Sequence, residues 1–218
     1  MLQPSTFEFL RQLAQNNNKS WFDAHKKEYE AAKDDFDQFV GQLLKLMAPL
    51  EPALGGQQAK DCTFRLYRDV RFSKDKTPYK NHFGAFLSRG GRKWEGAGYY
   101  LHLEPGKIFA GGGLWVPEPA LLKSIRQEID YDFKGFQALL ADRSFKKYFP
   151  KINGERLQKA PQGYAPDHPA MEYLKLKSFT VGHEMTDEEL MGKDALKRVT
   201  KVFAAMQPFV DFLNRTLS

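Results

Sequence analysis

At Asp61 the spacing of apolar residues changes from that of a helix to that of a strand, and this change sets what the chain can fold into. Before it, Phe7, Leu10, Leu13 and Ala14 recur at helical intervals behind Ser5-Thr6-Phe7-Glu8, which has the form of a capping box. A first helix is expected to run to about Gln15, where Asn16-Asn17-Asn18 stops it. Ser20 and Asp23 repeat the capping pattern. Phe22, Tyr29, Phe36, Phe39, Val40, Leu43, Leu44 and Met47 then trace one apolar stripe with no proline before Pro49. One long helix with a kink near Lys33-Asp34 is expected there, followed by a loop from Leu50 to Lys60.

Past Asp61, Phe64, Leu66, Val70 and Phe72 alternate with Arg65, Tyr67, Asp69 and Arg71, the pattern of a strand with one buried face. Phe83, Ala85 and Leu87 resume the alternation after Thr77-Pro78, and Tyr99, Leu101 and Leu103 do so after a turn region between Gly90 and Gly98. Glu104-Pro105-Gly106-Lys107 is a tight turn leading into Ile108-Phe109. Consecutive strands with short connections argue for an antiparallel meander. Helical spacing returns behind Pro119, through Leu122, Ile125 and Ile129, and again through Phe133, Phe136, Leu139 and Leu140. Asn153 to Pro169 is irregular, and Phe179-Thr180-Val181 is a further strand. Asp187 to Met206 and Phe209 to Leu217 are terminal helices separated at Pro208. The expected fold class is α+β, one domain over residues 1–218, with a mainly antiparallel sheet packed by N-terminal and C-terminal helices.

A chain of 218 residues that is 42% apolar and 14% aromatic has the material for a core. It contains no apolar run of about 18 residues that could span a bilayer, and it opens without a secretion signal, so the cytoplasm is the expected compartment and no membrane partner is expected. The lone cysteine, Cys62, excludes an internal disulfide and any zinc site that needs two cysteines. The net charge of +6 is concentrated: Lys60 to Trp94 holds ten Lys or Arg against three Asp, a net of +7, which leaves −1 for the rest. One basic surface on a near-neutral body suits a focused anion site better than a general coat for polyanions.

Arg65, Arg68-Asp69, Arg71-Phe72 and Asp75-Lys76-Thr77-Pro78-Tyr79 follow the form Arg-x-x-Arg-Asp-x-Arg-Phe…Asp-Lys-x-x-Tyr. On these residues the chain resembles the bacterial and fungal family called domain of unknown function 2461. Asn16 to Phe22, Gly98-Tyr99-Tyr100, Gly111-Gly112-Gly113, His168-Pro169 and Phe209 to Leu217 agree with the resemblance. It implies where a site lies, and it implies no activity, cofactor or partner.

Strand alternation would put Arg65, Asp69 and Arg71 on one face and leave Arg68 among the apolar set, where it needs a carboxylate or carbonyl partner. Arg65 and Arg71 would stand roughly 20 Å apart, too far to grip one phosphate together. The ligand-binding candidates are therefore Arg65 or Arg71 with Lys74, Lys76, Lys80 and His82, and the acid/base candidates are Asp69, Tyr79 and His102. The loop Ser73 to Lys80 lacks the glycines and GK[ST] of a phosphate-binding loop. His82 and His102 become cross-strand neighbours if the hairpin register centres near Arg92. Two histidines without a third ligand of diagnostic spacing do not specify a metal site, so none is expected unless the fold supplies Asp69 or Glu104. No cofactor is indicated, and the oligomeric state is not specified. Three functions compete: a site for a small phosphate- or carboxylate-bearing ligand, catalytic or not; nucleic-acid binding through Lys60 to Lys93, with Tyr67, Phe72, Tyr79 and Trp94 for stacking; and a structural or partner-binding domain with an internal Arg-Asp ion-pair ladder.

Overall fold

A computed structural model describes residues 1–217. Helix α1 (Pro4–Gln15) begins on proline, whose missing N–H has no helical acceptor at that position. The Ser5–Glu8 capping box does not form. Gln3 occupies the N-cap, and the helix start is held from outside by the Asp35 carboxylate, which accepts from the Gln3 amide at 2.9 Å and the Thr6 hydroxyl at 2.6 Å. The expected long helix is two: α2 (Lys19–Ala24), capped by Asn18, and α3 (Lys26–Met47). The interruption falls at His25 rather than at Lys33-Asp34. There the imidazole stacks on Trp21 at 4.0 Å and its Nδ1 donates to the Trp21 carbonyl at 2.8 Å, so the side chain at the break adds a bond to a carbonyl of the last turn of α2.

After the short α4 (Ala59–Cys62), the segment expected to be a strand from Phe64 to Phe72 is an open loop with bridges only at Thr63–Ala85 and Tyr67–Tyr79. Its alternation is real, but no neighbouring strand supplies a ladder. Leu66 alone of the apolar set is buried, and Phe72 is 97% exposed. The loop is pinned by backbone bonds from Phe64 to Gly84, Arg68 to Pro78 and Lys80 to Leu66. Between those pins the Asp69 and Asp75 carboxylates take the Arg71 and Thr77 amides, a local pairing that competes with sheet formation.

The sheet is the expected meander, antiparallel throughout in the order β1 (Phe83–Leu87), β2 (Gly98–Leu103), β3 (Ile108–Leu114), β4 (Phe179–Met185). Between β3 and β4 lie α5 (Pro119–Tyr131), α6 (Phe133–Ala141), α7 (Arg143–Tyr148) and α8 (Met171–Leu174). Helices α9 (Asp187–Met191) and α10 (Ala195–Asn214) follow, and α10 runs through Pro208 instead of stopping there. Val202, Phe203, Met206, Phe209, Val210 and Leu213 are buried on both sides of that proline. Burying an apolar side chain is worth about 1.5–3 kcal/mol, so this run outweighs the ~3 kcal/mol that proline costs a helix interior.

The buried apolar residues form one continuous cluster. Phe36 of α3 stacks on Phe83 at 5.4 Å and Phe203 of α10 meets Tyr99 at 5.3 Å, so both helices cover the same face of the sheet. Among the described residues no helix is long and apolar enough to cross a membrane.

Candidate functional site

The register of the meander decides which side chains lie away from α3 and α10. Gly84 pairs with His102 and His102 with Phe109; Phe86 pairs with Tyr100 and Tyr100 with Gly111; Phe109 pairs with Glu184. These positions alternate with the buried Ala85, Leu101 and Ala110 and so share the second face. Glycine at 98, 111, 113 and 182 leaves much of that face without side chains, and a cleft of about 900 Å³ opens over it. Phe64, Phe86, Trp94, Tyr100 and Phe109 supply its aromatic lining, and Trp115, 76% exposed, stands at its edge. Arg92, Glu95, Glu118 and Glu184 are its charged residues. A Cβ at Gly182 would find only the Phe109 ring, at 3.8 Å, so this floor position is open space. Gly84 is different, because a Cβ there would stand 2.7 Å from the Tyr100 hydroxyl, which lies across it.

At one end of this face three polar side chains meet. The hairpin register centres on Lys93, one residue from the expected position, and brings the His82 and His102 rings to 4.3 Å. Tyr100 Oη lies 3.1 Å from His102 Nδ1, and His102 Nε2 lies 3.4 Å from Glu104 Oε2. The phenol therefore donates to Nδ1 while Nε2–H donates to the carboxylate. Glu104 Oε1 is held by Lys107 at 2.8 Å and Asn81 at 3.2 Å, and the Phe109 ring stacks on His102 at 4.9 Å. Burial, the neighbouring His102 and the Lys80 charge push His82 down to about 4, and burial lowers His102 against the pull of Glu104. Both imidazoles are thus neutral at pH 7. Burial alone would raise the Glu104 carboxyl, but the Lys107 and His102 hydrogen bonds hold it below its usual range. Burial pushes the Tyr100 phenol up to about 12.

The candidates from the basic segment divide in two. Lys80 is half-buried, with its ammonium 5.5 Å above the ring of Phe64, a cleft wall. Burial and the nearby Arg65 charge depress its pKa. Neither Lys80 nor Arg65 makes an ion pair among the described residues. Lys80, His82 and His102 are therefore gathered at this face, with Arg65 near Lys80. The other group stands apart. Arg71 is bound by Asp69 at 2.7 Å, both exposed, and that bond holds the Asp69 carboxyl low. Arg68 pairs with Asp75 at 2.5 Å and with the Thr77 carbonyl at 3.1 Å, the internal partners it was expected to need. The Thr77 amide is the main cause of Asp75 falling to about 2. Lys76 donates to the Val70 carbonyl at 2.9 Å, and Lys74 is exposed on the same turn.

Tyr79 is a packing residue: it is 4% exposed, stacks on Phe22 at 4.1 Å, and has its backbone clamped on both sides by the Asn17 amide. Gly112 of β3 faces the other way and serves packing, since a Cβ there would reach 2.6 Å from the Met206 sulfur of α10.

Sequence reasoning passed over Tyr100 as a functional group and left Glu104 as something the fold would have to provide. The signal was present, because Tyr100, His102 and Glu104 stand two residues apart and so share one face of a strand. Gly182 carried no signal.

Neither a curated protein nor a solved structure matches the chain. A family model described as a conserved hypothetical protein, DUF2461, matches residues 5–212, nearly the whole sequence. The chain belongs to the DUF2461 family.

Proposed function

We propose that the open face of the sheet binds a small molecule with a flat apolar body and one anionic group. The observation that carries this reading is an aromatic-walled cleft with Lys80 held over its wall residue Phe64 and Arg65 near Lys80, two cations that make no ion pair among the described residues. Aromatic faces over a floor without side chains favour a flat ligand. Because Lys80 sits above Phe64, an anion meeting its ammonium keeps the attached apolar body inside the cleft. Partial burial strips water from that ammonium, which strengthens its bond to an anion. The Tyr100 hydroxyl offers a polar contact among the aromatic walls. The turn at Asp69, Arg71 and Lys76 contributes little, since its charges are already satisfied within the loop.

Anilinonaphthalene sulfonate matches this chemistry and fluoresces when it leaves water. The wild-type chain should bind it saturably in the folded state, and the double variant Arg65→Ala/Lys80→Ala should weaken binding about tenfold, the loss of a charged hydrogen bond. Saturable binding that the double variant leaves unchanged would overturn the assignment, as would the absence of native-state binding.

A further inference from the structure

We propose that His82, His102 and Glu104 form a binding site for a divalent first-row transition-metal ion. The proposal goes beyond the ligand cleft and stands whether or not the cleft takes a ligand. One ligand atom from each of these residues lies within 4.8 Å of the other two. Donors about 2.1 Å from a tetrahedral ion stand about 3.4 Å apart, which is the separation already seen between His102 Nε2 and Glu104 Oε2. His82 precedes β1 in a bend, outside the ladder, so no strand pairing fixes its backbone, and ion binding requires its ring to close the remaining distance.

The surroundings are arranged as metal sites require. Lys107 and Asn81 occupy Glu104 Oε1 and leave Oε2 turned toward His102. With an ion on Nε2, His102 carries its proton on Nδ1 and donates to the Tyr100 hydroxyl 3.1 Å away, which fixes the ring through its other nitrogen. Stacking on Phe109 fixes the plane of the same ring. Two imidazoles and one carboxylate are a donor set suited to zinc or ferrous iron, and three protein ligands leave coordination positions open. Tyr100 and Phe109 line both this cluster and the cleft, so those positions adjoin the cleft. The ammonium groups of Lys80 and Lys107 oppose a cation, which gives the site a testable asymmetry.

The test uses the full chain, freed of any affinity tag and dialysed against chelator, titrated with Co²⁺ and followed by visible absorption. One equivalent per chain should bind with the d–d bands of an imidazole–carboxylate site, and Zn²⁺ should displace it. His82→Ala and Glu104→Gln should each weaken binding about tenfold or more, Lys107→Met should tighten it, and His25→Ala should leave it unchanged. Absence of the bands, or equal affinity in the His82→Ala and Glu104→Gln chains, overturns the proposal. If those variants lose their fold, the wild type decides alone: Co²⁺ should broaden the imidazole resonances of His82 and His102, and broadening centred on His25, His168 or His183 instead would overturn the assignment.

Discussion

Replacing Gly84 with alanine tests the polar end of the open sheet face. A Cβ at that position would lie 2.7 Å from the Tyr100 hydroxyl, inside the 3.0 Å limit that real Cβ contacts respect, and 3.2 Å from the ring carbon Cε2. The phenol is the far end of its side chain, so it swings aside and the backbone stays in place. That swing breaks its 3.1 Å bond to His102. Losing the bond costs about 0.5–1.5 kcal/mol and the displaced rotamer about 0.5–1.5 kcal/mol, while alanine restricts the unfolded chain and returns about 0.4–1 kcal/mol. The net loss is about 1 kcal/mol by those terms, too small to identify its own cause.

A double-mutant cycle with Tyr100→Phe identifies it. Tyr100→Phe alone loses the same hydrogen bond, about 1 kcal/mol. In the Gly84→Ala background the bond is already gone and the clashing oxygen is removed, so the second change costs nothing or stabilises. Urea unfolding of the four proteins should give a coupling energy of about 1–1.5 kcal/mol with the double variant more stable than additivity predicts. Additivity within about 0.3–0.5 kcal/mol would refute the placement of the phenol across Gly84.

Burial and the neighbouring Asp211 raise the Glu51 pKa, so the folded state binds its proton more tightly than the unfolded one does. This contribution is full below the unfolded value and fades as pH rises through the folded value. Glu51→Gln should therefore raise the melting temperature at pH 8, and the gain should shrink as pH falls toward 4.5; a gain independent of pH would contradict the cause given. Arg71→Ala should leave the urea midpoint and sulfonate-dye affinity unchanged, because its partnership with Asp69 is solvent-exposed. A loss of dye affinity there would return the anion site to the turn. Pro208→Ala should stabilise by about 1–3 kcal/mol, since alanine restores a helix N–H and removes a ring clash; a destabilised variant would mean that the proline ring itself fills the core.

What was legible in the sequence is what apolar periodicity records. The alternation of Phe83-Ala85-Leu87 and Tyr99-Leu101-Leu103 gave the meander, and the helical spacing behind Pro119 and Phe133 gave α5 and α6. Periodicity misleads where its physical cause is missing. Phe64 to Phe72 alternates without a partner strand, and Pro208 breaks a local rule inside a helix whose two halves are both buried. The site depended on quantities a single strand does not carry. The approach of His82 to His102 is a matter of register, and the cleft lies over a face where Gly113 and Gly182 line it without side chains, Gly182 facing open space. The lysines and arginines of the signature could be placed in one segment, but which of them are already paired is fixed by how the loop folds on itself: Arg68 and Arg71 are, while among the described residues Arg65 and Lys80 make no ion pair.

The central claim is that the open sheet face, and not the charged turn at Asp69 to Lys76, receives an anionic aromatic ligand. Backbone amide chemical shifts of the labelled chain during a titration with anilinonaphthalene sulfonate test it most directly. Saturable shifts are expected at Tyr100, Phe109, Gly182 and the Trp94 indole, with the amides of Arg71 to Lys76 unmoved. Shifts confined to the turn, or scattered without saturation while the sheet amides stay fixed, would contradict it.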